Sequence, residues 1–356
     1  MRRSTQAEFS RRDFIVGGSL ALAASSLGRT AEPLPVPPIT TTSGVEEAFF
    51  IRAGGLEQWV QMRGEDRLNP VILCLNGGPG ASWIPWSEQF VPWEKAFTVV
   101  LWDQRGEGQT QIRSGDGVVE TYALERMQDD GVELARALCR FLGKRKVILL
   151  GHSWGAILGL HMLRTEPGLF HAYVGTGQIV HRQRGFALMY DYMMRKAQSA
   201  NDESAIATLR MLGPGPYPPG VYKDASKVAL HDAVWSKYQP RADVEAIASI
   251  NKTVARYLQQ FPAFKFGASM ASFERLADAI MQTTPKALGT DFGVPIFFFQ
   301  GTDDFVAPAP LTKTYLEQLD APAKTLVELD AGHFAWINQP ETFLKNLVSR
   351  VRPLAV

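Results

Sequence analysis

Three short runs of the chain are almost wholly apolar, and each stops at a loop rich in glycine. Val71–Leu75 precedes Asn76-Gly77-Gly78-Pro79-Gly80, Thr98–Trp102 precedes Asp103-Gln104-Arg105-Gly106, and Val147–Leu150 precedes Gly151-His152-Ser153-Trp154-Gly155. A strand wetted on one face alternates apolar and polar side chains; a continuously apolar strand is covered on both faces, which calls for a parallel sheet between layers of helices. Between the second and third runs, Leu124, Met127, Leu134, Leu138 and Leu142 recur at helical spacing, a crossover helix of suitable length. The chain is therefore expected to be α/β.

Two β-like runs, Ala48–Ala53 and Leu56–Met62, come earlier and meet at Gly54-Gly55, the chemistry of a tight hairpin. After about residue 180 the pattern changes. Helical segments are expected at Phe186–Ala197, Asp202–Leu212, Val244–Phe261 and Phe273–Gln282, interrupted by the glycine–proline run 213–220. The sheet then resumes at Ile296–Phe299, before Gly301-Thr302-Asp303-Asp304, and at Thr325–Leu329, before Gly332-His333, with a closing helix over about 340–351. The expected organisation is an α/β core over 45–180 and 289–356, split by a helical cap over 181–288.

Gly151-His152-Ser153-Trp154-Gly155 sits between a strand and a helix, the context of a nucleophile elbow. The turn is so tight that only small residues fit beside the serine, and it leaves the Trp154 amide at a helix N-terminus where it can hold an oxyanion. A second donor is expected from the glycine loop after the first apolar strand, at Gly78 with Gly77 as the near alternative. Serine is a weak nucleophile at its ordinary pKa, so a histidine must take its proton and a carboxylate must orient that histidine. His333 alone among the six histidines follows the resumed strands. Asp303 and Asp304 are both placed to serve it, and adjacent residues point in different directions. Trp83, Trp86, Trp93 and Trp154 are expected to give the pocket aromatic walls, at least two of them serving the core instead. Cys74 and Cys139 read as buried thiols.

Taken together, Asn76 to Gly80, Asp103 to Thr110, Gly151 to Gly155, Gly301 to Pro308 and Gly332-His333 resemble the marks of the proline iminopeptidase-like serine peptidases of the α/β-hydrolase superfamily. The resemblance implies an α/β-hydrolase fold, a mostly parallel central sheet flanked by helices with an inserted helical cap. It also implies a Ser153–His333–Asp304 triad, the acid being selected because Pro308 follows it by four positions. The expected substrate is a short peptide or amino-acid amide. In that family a glutamate in a Trp-Ser-x-Trp-Glu stretch of the cap faces the substrate amino group; here the stretch reads Trp235-Ser236-Lys237-Tyr238-Gln239. A neutral amide at Gln239 forgoes a charge-assisted contact worth about 1.5–3 kcal/mol. That departure favours an esterase or lactonase using the same triad. A ligand-binding homologue without activity is expected to lack a triad residue, and none is missing here.

Ser10-Arg11-Arg12-Asp13-Phe14-Ile15 and the small, apolar run after it read as a twin-arginine signal over 1–31, with 32–44 as a proline-rich linker. This implies recognition by the twin-arginine export machinery and a periplasmic or secreted product. Losing 1–31 removes five arginines and two acids, so the formal charge moves from +1 to −2. Charge so balanced carries no electrostatic footprint for nucleic acid, and the apolar run, broken by Gly17, Gly18, Ser25 and Ser26, is too short for a stable membrane anchor. Neither a metal nor an organic cofactor is required by this chemistry.

Overall fold

The computed structural model of the chain describes residues 36–213, 225–260 and 269–355. The twin-arginine segment, the start of the linker and the glycine–proline run beyond Gly213 lie outside the described residues.

Val45–Ala53 (β1) and Leu56–Gly64 (β2) pair antiparallel around Gly54 and Gly55, whose φ of 57° and 77° are what a two-residue hairpin turn needs. β2 joins Thr98–Trp102 (β4) antiparallel, and from there every pairing is parallel: β4 with Val71–Leu75 (β3), then Val147–His152 (β5), Phe170–Thr176 (β6), Ile296–Gly301 (β7) and Lys324–Leu329 (β8). The order is β1-β2-β4-β3-β5-β6-β7-β8. Every residue of β3, β4, β5 and β7 is buried, as the unbroken apolar runs require.

Alternate side chains of these strands go to opposite faces. Val71, Leu73, Leu75, Val147 and Leu149 pack beneath Leu124–Leu142 (α1) and Trp154–Thr165 (α2). Ile72, Cys74, Ile148 and Leu150 pack against a cluster of tryptophans and the C-terminal helix Pro340–Asn346 (α9) with the π-helical turn Leu347–Val351 that continues it. Both cysteines are free and buried. Burial pushes the Cys74 thiol far up, so it stays protonated.

Between β6 and β7 the chain forms Arg182–Ser199 (α3), Glu203–Leu212 (α4), Ala225–Tyr238 (α5), Arg241–Gln260 (α6) and Ser269–Met281 (α7). Phe186, Met189, Met193, Ile206, Leu209 and Val234 give these helices an apolar core of their own, which Phe305 joins from the loop after β7. Ala309–Gln318 (α8) then returns the chain to β8. Arg105, buried in the motif after β4, is structural: its guanidinium bonds Asp130 of α1 at 2.8 and 3.1 Å and the carbonyl of Gly54 at 2.9 Å, tying hairpin, motif and helix together.

Parallel strands end on the same edge. Leu75 pairs with Gly151, His152 with Thr176, and Gly301 with Leu329. The loops after β3, β5, β6, β7 and β8 therefore emerge side by side, where open α/β sheets collect their functional residues.

Candidate active site

β5 ends at His152 and α2 begins at Trp154, so Ser153 alone makes the turn. Its backbone stands at φ 55°, ψ −114°, a conformation that costs a residue with a side chain about 1–3 kcal/mol. The surroundings hold it there. The Ser153 amide donates to the Thr176 carbonyl at 3.1 Å, and the Ser153 carbonyl accepts from Ala156 at 3.0 Å. A Cβ on Gly155 would lie 2.2 Å from the Leu75 carbonyl oxygen, so only glycine lets α2 start so close to β3. As the first residue of α2, Trp154 has an amide with no intrahelical partner. Its ring is buried, and the indole N–H donates to Gln104 Oε1 at 3.1 Å.

Across the sheet edge, His333 and Asp304 meet. His333 Nδ1 lies 2.9 Å from Asp304 Oδ2, and both side chains are buried. Asp304 is held from three further directions: Oδ1 accepts from the amides of Val306 (3.0 Å) and Ala307 (2.8 Å), and Oδ2 from Gln300 Nε2 (2.8 Å). Asp303 is exposed. Burial by itself would push the His333 imidazole down, but the facing Asp304 charge, their hydrogen bond and the Asp243 charge outweigh it and hold the ring above the ordinary histidine value. The ring is tightly seated, since a Cβ on Gly177, in the loop after β6, would come 2.7 Å from His333 Cε1.

His152, the residue before the serine, fills the space between this pair and the core. Its ring centroid lies 4.8 Å from that of His333 and 5.8 Å from that of Trp83. Burial, with His333 close by, pushes its pKa well down, so the ring is a neutral spacer.

The glycine loop after β3 passes directly over the serine: a Cβ on Gly77 would lie 3.1 Å from Ser153 Cβ. Asn76 Nδ2 bonds the carbonyls of Gly77 (3.2 Å) and Ala81 (2.9 Å). The amide N–H across a trans peptide is antiparallel to the carbonyl, so the Gly78 N–H points away from Asn76. Beneath the loop lies a buried polar network that sequence reasoning missed. Glu107 Oε1 accepts from Asn76 Nδ2 (2.9 Å) and the Gly80 amide (3.0 Å), its Oε2 accepts from the Gln104 amide (3.0 Å), and Gln104 Nε2 donates to Asn76 Oδ1 (2.9 Å). Loop, motif and elbow thus share one chain of bonds from Gly80 to Trp154. Burial pushes the Glu107 carboxyl up to about 8, its three donors only partly opposing this. Asn76→Ala strips the network of its centre and is expected to lower stability by about 2 kcal/mol, as a buried donor–acceptor loss does; urea unfolding measures it.

Trp83 and Trp86, expected as pocket walls, pack within the aromatic core, the setting also expected for at least two of the four tryptophans. Trp83, Trp86 and Trp93 are all buried with Phe90 and Trp336 on one face of the sheet, Trp83 4.8 Å and Trp86 6.2 Å from Trp336 between ring centroids, and Trp93 stacked on Phe343. These rings recur three and four residues apart along the 3-10 helix Ile84–Trp93, so they share one inward face. Trp83 and Trp336 reach toward the site through His152, their centroids 5.8 and 6.4 Å from its ring. Trp235 stacks on Phe305, next to Asp304, with centroids 6.1 Å apart. Gln239, one turn on, donates to the Ser236 carbonyl at 3.4 Å, and its Oε1 is buried with no partner among the described residues. Among the described residues, neither has a hydrogen bond or ring contact to Ser153. The cap carboxylate that does reach the site is Asp243, whose Oδ1 accepts from the backbone amide of His333 at 2.6 Å. No spacing in the sequence links residues 90 positions apart in this way.

A family model for the alpha/beta hydrolase fold matches residues 70–340. The chain is 26% identical over 305 residues to "Probable aminopeptidase YbaC" of Bacillus subtilis (strain 168), covering 84% of this chain and 94% of that one. It is 23% identical over 283 residues to "Putative carbamate hydrolase RutD" of Escherichia coli (strain SMS-3-5 / SECEC), covering 77% and 87%. Among solved structures, the proline iminopeptidase-related protein TTHA1809 of Thermus thermophilus superposes with a TM-score of 0.63 at 22% identity, over 87% of this chain and 99% of that one. Epoxide hydrolase VrEH1 of Vigna radiata does so at 0.53 and 20%, over 85% and 96%.

Proposed function

The chain belongs to the α/β-hydrolase fold family, and from that premise we propose that it is a serine hydrolase acting through an acyl-enzyme. What supports this best is the buried His333–Asp304 pair at 2.9 Å, on the same sheet edge as a serine held in a strained elbow.

In this reading, Asp304 fixes the proton on His333 Nδ1 and leaves Nε2 free to accept one. Ser153 Oγ attacks the substrate carbonyl and passes its proton to His333. The carbonyl oxygen, now negative, is held by the amides of Gly78 and Trp154. The tetrahedral intermediate collapses, the leaving group takes the proton from His333, and Ser153 carries the acyl group. Water, activated by the same histidine, then releases the acid. Because the serine must pass its proton to neutral imidazole, activity is expected to fall on the acid side as His333 protonates. With the ring held above the ordinary histidine value, that limb lies above about 6.5.

The substrate class we favour is a short peptide or amino-acid amide bearing a free amino end, in keeping with a relative named a probable aminopeptidase. Gln239 supplies no charge for that amine. Asp243 lies in the same cap, buried beside His333, and one of its oxygens has no partner among the described residues. Gln239 keeps one second reading in view, an esterase or lactonase with the same triad. We further propose that residues 1–31 are a twin-arginine signal, so the mature enzyme works outside the cytoplasm.

Comparing hydrolysis of proline arylamide, its N-acylated form and a simple aryl ester tests the substrate class. The aminopeptidase reading expects the free-amine amide to be preferred over its acylated form by about tenfold or more, the worth of one charge-assisted contact. Equal rates on both amides, with the ester faster, would replace it with the esterase reading.

A further inference from the structure

The loop that carries His333 is fastened to the cap rather than only to the sheet. Asp243 stands in the first turn of α6 and is 1% exposed. Besides the 2.6 Å bond from the His333 amide to its Oδ1, its carboxylate lies flat against Gly332: a Cβ there would come 2.2 Å from Oδ1 and 2.7 Å from Oδ2. Asn338 makes a second fastening, its Oδ1 accepting from the Gly332 amide (3.1 Å) and its Nδ2 donating to the Ala242 carbonyl (2.9 Å). Two neighbouring residues of α6 thus hold the two residues that present the imidazole.

The Phe334 amide also bears on the Asp243 carboxylate and favours its charged form, although Oδ2 closes no full hydrogen bond among the described residues. An asparagine could still accept from the His333 amide, so that bond by itself does not require a full charge. What a carboxylate adds is charge, and the Asp243 charge acts on His333 in the same direction as Asp304 does.

We infer that Asp243 is a positioning residue for the proposed reaction: from the cap, it sets the loop that aims His333 and adds a second negative charge behind the ring. The inference rests on the serine-hydrolase reading. It makes the cap part of the catalytic apparatus, because a displacement of α6 would withdraw both the loop anchor and the charge.

The charged and titratable groups that face His333 are Asp304 from the loop after β7, Asp243 from α6, Arg182 from α3, which opposes the two carboxylates, and His152 from the elbow. Those facing Asp243 are His333, Asp304 and Tyr192 of α3. Burial pushes the Asp243 carboxyl up to about 6, so at neutral pH and above it is ionised and both effects are in place.

The test is the rate at which a fluorophosphonate labels the full-length protein between pH 5 and 9, for wild type, Asp243→Ala and Asp243→Asn. Asp243→Ala is expected to lose about tenfold to a hundredfold on the alkaline plateau, the scale of a misplaced catalytic group. Asp243→Asn keeps an oxygen for the His333 amide and is expected to recover most of that loss. In both variants the acid limb should move to lower pH by about 1, since a nearby carboxylate no longer stabilises imidazolium. An acid limb unmoved in Asp243→Asn overturns the inference, whether or not Asp243→Ala folds, and so does a plateau unchanged in a folded Asp243→Ala. Wild type that stays unlabelled would instead sink the serine-hydrolase reading itself, so the two failures are told apart.

Discussion

Replacing Ser153 with alanine is expected to lower hydrolysis by about 10⁴-fold or more, the usual cost of removing a nucleophile that acts as one unit with its base, while leaving the fold intact. The reason is local. Ser153 spends its backbone bonds on Thr176 and Ala156, and these survive the change. A companion variant separates chemistry from strain. At φ 55° a glycine sits without the penalty a side chain incurs, so Ser153→Gly is expected to be as inactive as Ser153→Ala yet more stable than wild type by about 1 kcal/mol. Denaturant unfolding beside the activity assay measures both. A wild-type rate in Ser153→Ala would move the nucleophile elsewhere.

Asp304→Asn is expected to cost about 10³–10⁴-fold, and Asp303→Asn no more than about threefold. Asp304 offers only acceptors to its four donors: the amides of Val306 and Ala307, Gln300 Nε2 and His333 Nδ1. If the amide oxygen of an asparagine stays on the two backbone donors, its NH₂ faces Gln300 Nε2, donor against donor, and donates to His333 Nδ1. The imidazole is then driven to the tautomer protonated on Nε2, which cannot take the serine proton. Asp303 is exposed and outside this arrangement. Rates of the two variants on one substrate decide the matter, and the reverse ranking would reassign the acid.

The sheet was largely legible because its strands are short, apolar and closed by glycine loops. Val71–Leu75, Thr98–Trp102 and the helix Leu124–Leu142 fall where the pattern put them, since burial on both faces or on one stripe leaves a periodicity that tertiary context does not blur. The cap helix Ala225–Tyr238 leaves little periodic signal because its apolar residues are not uniformly buried: Val234 is buried, while Leu230, one turn earlier on the same face, is 38% exposed. The tryptophans after the glycine loop read both ways, as pocket walls and as core. Their nearness in sequence to the glycine loop suggests a pocket, whereas the spacing of Trp83, Trp86, Phe90 and Trp93 along one helical face takes them into the core.

Residues that sit in motifs could be named from the sequence; residues that support them could not. Glu107 sits between two glycines, and nothing local shows that it reaches under the loop to Asn76 and Gly80. Asp243 contacts His333 only because β7 and β8 adjoin each other and α6 folds back over their ends. Such contacts belong to topology, and a single sequence carries no signal of them.

One serine, activated by His333, is expected to accept an acyl or phosphonyl group. This is tested most directly by treating the folded protein with a fluorophosphonate and locating the adduct by peptide mass spectrometry, with His333→Ala alongside. A single adduct on Ser153 is expected, and it should fail to form in His333→Ala. A folded wild-type protein that stays unmodified, an adduct on another residue, or equally fast modification in His333→Ala would contradict it.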